Sequence, residues 1–350
     1  MRSFEEMFGV RASADARAPG RVNLLGEHTD YNEGYVLPTT IPHMTRVQIA
    51  PAPGAGFVCC SVNFDECVEF DREAPAGFAR YIYGCVATLR ERGDRLAPVI
   101  MRVQSDIPIG KGLSSSAALE VAVLRALRQL FALTFDDVEL ALLAQRAEVQ
   151  YAGVRCGILD QMASSLGCPG QMLFLDTRTL QRKLLALPLG AEIVVIDSGV
   201  ARELSSTAYN QRRRECERAA QLLGVVALRD IDDFALVEQL PQPLDRRSRH
   251  VLSENQRVLE ASAGVSAARF GQLMNESHTS LKVDYEVSIG ALDELATLLQ
   301  SHPSVYGARL TGAGFGGACV ALVERRSAEQ VRRDVVAAYA VKGYQGQALV

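Results

Sequence analysis

Scarce and missing features of this 350-residue sequence exclude several classes of protein. It contains no tryptophan, so no indole ring is available to stack on a base such as adenine. Its 37 Lys and Arg residues are outnumbered by 41 Asp and Glu residues, which leaves no basic footprint for nucleic acid or an anionic membrane. No apolar run reaches about 18 residues, and the N-terminus lacks the apolar core of a signal peptide. We therefore expect a cytoplasmic protein with a small-molecule partner.

The eight cysteines form no metal or redox motif. No two of them are spaced as C-x-x-C, and none combines with histidine at the spacing of a zinc finger. We expect reduced, mostly buried thiols, and we interpret the adjacent Cys59 and Cys60 as a pair of strand thiols instead of a redox site.

Apolar residues are plentiful: 48% of the chain is hydrophobic and 22% is charged. The length exceeds the ~250 to 300 residues at which a single core stops growing, which favours two domains. The composition changes near residues 187–190, and a new strand, EIVVIDSG, follows. We predict an N-terminal domain over residues 1–187 and a C-terminal domain over residues 188–350.

Hydrophobic periodicity predicts a chain of mixed strands and helices. Short β-rich segments come first, followed by a strand over residues 99–105 and a helix from about residue 115 to 131. A second helix is predicted from Thr134, as its N-cap, to about Tyr151. The basic run QRRRECER, which contains Arg212–Arg214, is expected to form the exposed charged face of a later helix.

The segment GRVNLLGEHTDYN, residues 20–32, concentrates polar chemistry within an apolar strand and turn. Its polar members are Arg21, Glu27, His28, Asp30 and Tyr31. Charged groups beside apolar neighbours suggest a polar pocket, because burying them without partners is costly. The alternative is that these charges are paired structurally at the end of a strand.

The segment PIGKGLSSSAAL, residues 108–119, joins a strand to an apolar helix through small residues. Backbone N–H groups of glycine and serine at a helix N-terminus can cradle phosphate without obstruction by side chains. It is not a Walker A loop, because Lys111 is followed by Gly112, and Ser115 breaks the kinase pattern G-x-G-x-x-G. The alternative is an ordinary serine-capped helix.

Two acidic residues follow this segment, Glu148 and Asp160. Asp160 lies among apolar residues, and a buried carboxylate is expensive unless it binds a cation or exchanges a proton. One of the two suits a metal ligand and the other a base. The hydroxyls of Ser115 and Ser116 suit either of two roles, as contacts to phosphate oxygens or as further oxygen donors for Mg2+. The alternatives are a solvated helix face for Glu148 and a helix-dipole role for Asp160.

A third glycine-rich segment, TGAGFGGA, covers residues 311–318. It contains G-x-G-x-x-G, but a strand-like sequence follows where a dinucleotide site requires a helix. Two interpretations remain open, a plain hairpin turn and a loop that closes over a ligand.

In order and spacing these three segments resemble the three motifs of the GHMP small-molecule kinases, and GRVNLLGEHTDYNEGYVLP resembles the signature of the galactokinase family. The resemblance extends over essentially the whole chain. It implies an α+β fold with two domains, an N-terminal ribosomal protein S5 domain 2-like domain and a C-terminal ferredoxin-like domain. One departure is Ala313, where the family often has glycine, a change that a turn tolerates unless the position needs positive φ.

The resemblance also implies roles for particular residues. Asp160 takes the place of the family's catalytic aspartate, and Arg21 takes that of the arginine beside it. The implied sugar contacts are the side chains of Glu27, His28, Asp30 and Tyr209 and the backbone near Gly157. The implied contacts to ATP phosphates are Gly110, Gly112, Leu113, Ser114, Ser115, Ser116 and Ala117. Ser116 and Glu148 take the places of the family's Mg2+ ligands.

The activity that the resemblance implies is ATP-dependent phosphorylation of α-D-galactose at its C1 hydroxyl, with Mg2+ as cofactor. The implied partners are galactose and ATP. The acidic composition predicts no nucleic-acid or membrane partner. We expect a monomer, with a weak dimer as the alternative. Two other functions stay open: a kinase for another sugar or sugar acid, and a non-catalytic sensor of galactose and ATP.

Overall fold

The computed structural model describes residues 2–201 and 205–350, with the side chains of residues 205 and 206 left out. Its helices are α1 Phe4–Phe8, α2 Ala79–Arg92, α3 Ser115–Phe131, α4 Asp137–Ala147, α5 Leu159–Leu166, α6 Ser205–Leu223, α7 Phe234–Glu238, α8 Leu244–Ser262, α9 Ala267–Val283, α10 Gly290–Ser301 and α11 Ala328–Val341. Its strands are β1 Ala14–Asn23, β2 Tyr35–Val36, β3 Pro38–Pro51, β4 Phe57–Ser61, β5 Glu66–Phe70, β6 Val99–Ser105, β7 Gln171–Asp176, β8 Arg182–Ala186, β9 Ala191–Asp197, β10 Val305–Thr311, β11 Ala318–Glu324 and β12 Gln347–Ala348. Within the described ranges, none of the helices combines the length and apolarity needed to cross a membrane.

The chain forms two compact units whose segments alternate along the sequence. The described part of the first unit comprises residues 2–21, 41–108 and 114–166. The described part of the second unit comprises residues 22–40, 109–113, 167–201 and 205–350.

Strands and a helical layer build the first unit. The C-terminal half of β3 pairs antiparallel with β6, β6 pairs parallel with β4, and β4 pairs antiparallel with β5. Helices α2, α3, α4 and α5 pack against one another. The predicted helix at residues 115–131 and strand at residues 99–105 are confirmed, because both carry long runs of apolar residues that are buried here.

The second unit contains a four-stranded sheet in the order β10, β11, β9, β12, with antiparallel pairing throughout. Its apolar core gathers buried residues of β9, β10 and β11 together with residues of α6, α8, α9, α10 and α11. The strand EIVVIDSG and the two strands around the glycine-rich turn are therefore where the sequence predicted them. Two further strands of this unit, β2 and β8, pair with β7.

The expectation of reduced thiols is wrong for one pair of cysteines. Cys60 and Cys67 are directly opposite each other in the antiparallel pair of β4 and β5, with Cα atoms 4.0 Å apart, and a disulfide joins them. The other six cysteines form no disulfide within the described residues. The spacing of seven residues between Cys60 and Cys67 matches no motif, whereas the register of the hairpin places these two residues side by side.

Two local predictions also need correction. The N-cap of the second helix is Asp136 and not Thr134, because the Asp136 carboxylate accepts from the backbone N–H groups of Val138 and Glu139. Arg212 is buried and not on an exposed face, since its guanidinium donates to the backbone carbonyls of Tyr285 and Glu286 at 2.6 and 3.0 Å.

Candidate active site

The predicted site residues fall in both units, and each group has its own geometry. In the first unit, Arg21 of β1 contacts Asp160 of α5. The guanidinium of Arg21 donates from Nε to Oδ1 of Asp160 at 2.8 Å, and Nη2 lies 2.6 Å from the same oxygen. The Arg21 side chain is 6% exposed and that of Asp160 is 30% exposed. A buried cation thus orients a carboxylate that solvent or a ligand can still reach.

Three carboxylates lie near one another in this unit. Gln161 donates from Nε2 to Glu148 at 2.6 Å and to Glu120 at 3.3 Å, and Ser116 also bonds Glu148. Burial, together with the negative charge of Asp160, raises the pKa of Glu148 to about 7. Burial and the charge of Glu148 raise the pKa of Glu120 well above its usual value. The oxygen-rich cluster is therefore short of positive charge.

The chain enters α3 through a loop with left-handed backbone. Gly110, Gly112 and Ser114 have φ values of 76°, 80° and 59°. The first helical N–H to be bonded is that of Ala118, to the Ser114 carbonyl at 3.0 Å. The N–H groups of Ser115, Ser116 and Ala117 therefore lie ahead of the helical hydrogen bonds, at the positive end of the dipole. Such a helix start is suited to an anion.

Ser114 does not act as an ordinary N-cap. Its hydroxyl makes no capping bond and is buried without a hydrogen-bond partner within the described residues. Its positive φ is unusual for a residue with a side chain, and such conformations concentrate at functional sites. This geometry argues against the alternative of a plain serine-capped helix.

In the second unit, Glu27 lies in a buried ion network. Its Oε2 accepts from Arg309 at 2.6 Å and from the backbone N–H of Gly312 at 2.9 Å. Glu254 of α8 lies on the other side, with Oε1 accepting from the N–H of Gly26 at 2.8 Å and 3.5 Å from Nη1 of Arg309. Burial works to raise the pKa of Glu254, but Arg257 and Arg309 outweigh it and hold that pKa well below its usual value.

His28 is buried in an aromatic cluster of the second unit. Its ring centroid lies 5.5 Å from that of Tyr209 and 4.8 Å from that of Tyr285. Its Nδ1 contacts the Tyr31 hydroxyl at 2.8 Å, and its Nε2 contacts the Ala313 carbonyl at 3.2 Å. Burial lowers the pKa of His28 well below its usual value, so the ring is neutral. His28 also has a positive φ of 63°.

The other predicted sugar-contact residues are placed as follows. Asp30 is partly exposed at the start of a short helical turn, Asp30–Asn32, and its Oδ1 accepts from the N–H of Tyr31 at 3.0 Å. Gly157 is buried in the first unit, two residues ahead of α5. The third glycine-rich segment forms the turn between β10 and β11, and Ala313 is absent from the positive-φ residues of the described chain, so alanine is tolerated there.

Comparisons with known proteins assign the chain to a family. Residues 2–51 match the model of the galactokinase galactose-binding signature, residues 80–168 the GHMP kinase N-terminal domain, and residues 260–341 the GHMP kinase C-terminal model. A galactokinase of Roseiflexus sp. (strain RS-1) is 44% identical over 96% of this chain and 90% of its own length. The chain belongs to the galactokinase family of the GHMP kinases. The resemblance stated from the three motifs is confirmed.

Other relatives support the same family. A galactokinase of Chloroflexus aggregans is 42% identical over 97% of this chain and 91% of its own length. The crystal structure of Lactococcus lactis galactokinase complexed with galactose is 34% identical and covers 99% of this chain and 95% of that one, with a TM-score of 0.93. A mevalonate kinase of Methanococcus jannaschii, 17% identical with a TM-score of 0.70 over 97% of this chain and 98% of its own, shares the fold. This membership makes the chain a kinase and confirms the predicted α+β fold class.

Several residues of this galactokinase-family chain were missed by sequence reasoning. The buried partners of the predicted groups are Gln161, Glu254, His250, Tyr285 and Arg309. Arg309 lies three residues before Gly312, and that proximity to a motif was its only signal. No sequence pattern pointed to His250 and Glu254 of α8, because their partners lie more than 200 positions away in the sequence.

Proposed function

We propose that this kinase transfers the γ-phosphoryl group of ATP to the C1 hydroxyl of α-D-galactose, which yields galactose 1-phosphate and ADP. Membership of the galactokinase family supports the substrates, as does the match of residues 2–51 to a galactose-binding signature. The observation that carries the mechanism is the contact of Arg21 with Asp160. It holds a partly exposed carboxylate in one orientation, as a base at a reacting hydroxyl requires.

The proposed step is an in-line displacement at phosphorus. The C1 oxygen of galactose attacks the γ-phosphorus, its proton passes to Asp160, and the bond to the β,γ-bridging oxygen breaks to release ADP. The Nε and Nη2 atoms of Arg21 contact Oδ1 of Asp160, and we assign proton acceptance to this carboxylate. Arg21 stabilises the negative charge that develops on the attacking oxygen and the phosphoryl group.

The proposed ligand contacts follow the family pattern. We assign the sugar hydroxyls to Glu27, His28, Asp30, Gly157 and Tyr209, because paired acceptors suit a polyol whose hydroxyls all donate. We assign the phosphates of ATP to the helix start and its loop, that is, to Gly110, Gly112, Leu113, Ser114, Ser115, Ser116 and Ala117. The first-turn N–H groups of α3, which precede the helical hydrogen bonds, and the left-handed loop support this assignment.

The residues present fit Mg2+ as a cofactor. Ser116 and Glu148 supply oxygen donors, which this ion prefers, and the neighbouring carboxylate of Asp160 adds negative charge. Two protein ligands leave the remaining positions to phosphate oxygens and water. Bound there, the ion would neutralise charge on the phosphates. Gln161 would hold the Glu148 carboxylate in place from the other side.

The remaining parts of the proposal concern organisation. We retain a division near residue 187 between an N-terminal and a C-terminal domain, and an assembly that is a monomer or a weak dimer. We also retain the expected cytoplasmic location.

A coupled ADP-release assay with ATP and Mg2+ tests the proposal on galactose, talose, glucose, galacturonate and mevalonate. We expect strong turnover on galactose and little on the others. Stronger turnover on another compound would overturn the substrate assignment and favour a different GHMP kinase. Binding of galactose and ATP by calorimetry without ADP release would instead make the chain a non-catalytic sensor. The Asp160→Asn variant is the matched control, since it should bind galactose but release almost no ADP.

A further inference from the structure

A continuous run of hydrogen bonds connects His28 to Cys216 inside the second unit. The Nδ1 of His28 contacts the Tyr31 hydroxyl at 2.8 Å, and the Tyr31 hydroxyl contacts that of Tyr285 at 2.7 Å. The Tyr285 hydroxyl in turn contacts the Cys216 thiol at 3.1 Å. At its other end the run reaches the Ala313 carbonyl through Nε2 of His28 at 3.2 Å.

The Ala313 carbonyl fixes the direction of the whole run. A carbonyl oxygen only accepts hydrogen bonds, so the Nε2 of His28 must carry a hydrogen. Because the buried ring is neutral, its Nδ1 carries none and must accept. The only hydrogen available for that contact is the one on the Tyr31 hydroxyl.

The number of hydrogens on each group also determines the donor and the acceptor of the next two hydrogen bonds. A phenol has one hydrogen, and Tyr31 uses it on His28, so Tyr285 must donate to the Tyr31 oxygen. The thiol of Cys216 must then donate to the Tyr285 oxygen. Burial raises the pKa of Cys216 to about 11 and that of Tyr285 well above its usual value, so both keep their hydrogens near neutral pH. Asn32 connects the end of the run back to His28, since its side chain bonds the Cys216 sulfur and donates to the His28 carbonyl.

We propose that Tyr31 and Tyr285 are positioning residues that hold His28 in the tautomer with hydrogen on Nε2. His28 then acts only as a donor at the nitrogen that contacts the glycine-rich turn. A ligand group that replaces the Ala313 carbonyl there must offer an acceptor oxygen, as a sugar hydroxyl does. The effect on sugar binding rests on the galactokinase activity proposed above, whereas the direction of the hydrogen bonds does not.

Nitrogen-15 NMR of the histidine-labelled full chain tests the direction. The sequence has five histidines, and the His28→Asn variant identifies the His28 signals by their loss. We expect a protonated Nε2 and an unprotonated, hydrogen-bonded Nδ1 across pH 6 to 8, where ~6.5 is the usual histidine pKa. A His28 signal with hydrogen on Nδ1, or with both nitrogens protonated, would overturn the inference.

Two variants test the positioning role. Tyr31→Phe should move the Nδ1 signal toward that of an unbonded nitrogen and raise the KM for galactose about tenfold, with kcat and the KM for ATP nearly unchanged. Tyr285→Phe keeps the bond from Tyr31 to His28, so it should change the Nδ1 signal and the KM for galactose in the same direction but by less. This second variant also tests the role if Tyr31→Phe folds poorly. The matched control is Tyr83→Phe in the first unit, whose hydroxyl donates to the Arg72 carbonyl.

The outcomes separate this inference from the proposed function. If the wild-type chain fails to phosphorylate galactose but shows the expected His28 tautomer, the proposed function fails and the direction of the run stands. If the wild-type chain phosphorylates galactose but Tyr31→Phe leaves both the Nδ1 signal and the KM for galactose unchanged, the positioning role is wrong.

Discussion

Arg309 donates to the carboxylate of Glu27 at 2.6 Å, and the two side chains are 0% and 7% exposed. The segment that carries Glu27 is thereby tied to the strand that leads into the glycine-rich turn. Glu254 ties the same segment to α8, since it accepts from the N–H of Gly26 and also from Ser277 and Arg257. Because isolated buried charges are very costly, these carboxylates and guanidinium groups depend on one another.

Removing the charge of Glu254 should therefore destabilise the fold. Glu254→Gln keeps the size of the side chain but leaves Arg257 and Arg309 with excess positive charge, and we expect a loss of about 3 kcal/mol in the free energy of unfolding. Glu260→Gln on the same helix breaks an exposed pair with Arg269 and should cost at most about 1 kcal/mol. Urea unfolding of both variants checks this. Equal losses would mean that the buried network contributes no more than a surface pair.

Asp160→Asn should abolish most of the proposed activity without unfolding the chain. The amide cannot accept the proton of the attacking hydroxyl, so we expect kcat to fall about a thousandfold. The matched control is Asp15→Asn, which removes a carboxylate from another arginine pair of the same unit, with Arg46. Steady-state kinetics and circular dichroism of both variants measure the effect. A variant at position 160 that retains a tenth of the wild-type kcat would remove Asp160 from its proposed role.

Glu148→Gln should raise the Mg2+ requirement. Replacing a carboxylate by an amide weakens oxygen ligation of Mg2+, and we expect the concentration for half-maximal rate to rise about tenfold or more. Glu139→Gln serves as control, because Glu139 lies on α4 and pairs with Arg92 near the surface. Titration of the initial rate with Mg2+ at saturating substrates compares the two. An unchanged Mg2+ dependence at position 148 would contradict the proposed metal site.

Acid should destabilise the chain through its buried histidines. Burial lowers the pKa of His250 and of His278 to about 4, while an unfolded histidine titrates near ~6.5. The unfolded state therefore binds protons more strongly, and the free energy of unfolding falls as pH drops from about 6.5 to about 4, by up to ~1.4 kcal/mol per pH unit for each histidine.

Urea unfolding at several pH values between 4 and 7.5 measures this loss. The His278→Gln variant should show a shallower decline than the wild-type chain over the same interval, because one proton-binding group of the unfolded state is gone. Parallel declines of the two proteins would show that His278 does not contribute.

Much of the fold was predictable from the sequence, because the patterns involved are local. The helix at residues 115–131 and the strands on either side of residues 312–317 depend on periodicity and glycine placement over a few turns or residues. The three motifs likewise identified the family, because they are short segments whose order and spacing can be read directly from the sequence.

Tertiary structure decided which partners each polar group has. Arg21 and Asp160 are 139 positions apart, and Glu27 and Arg309 are 282 apart, so no local pattern reports their contacts. The Cys60–Cys67 disulfide depended on the register of β4 and β5. The sequence determines which residue types stand in each motif and at what spacing. Burial and the direction of each hydrogen bond arise only when distant segments pack together, because both depend on which groups replace water around a side chain.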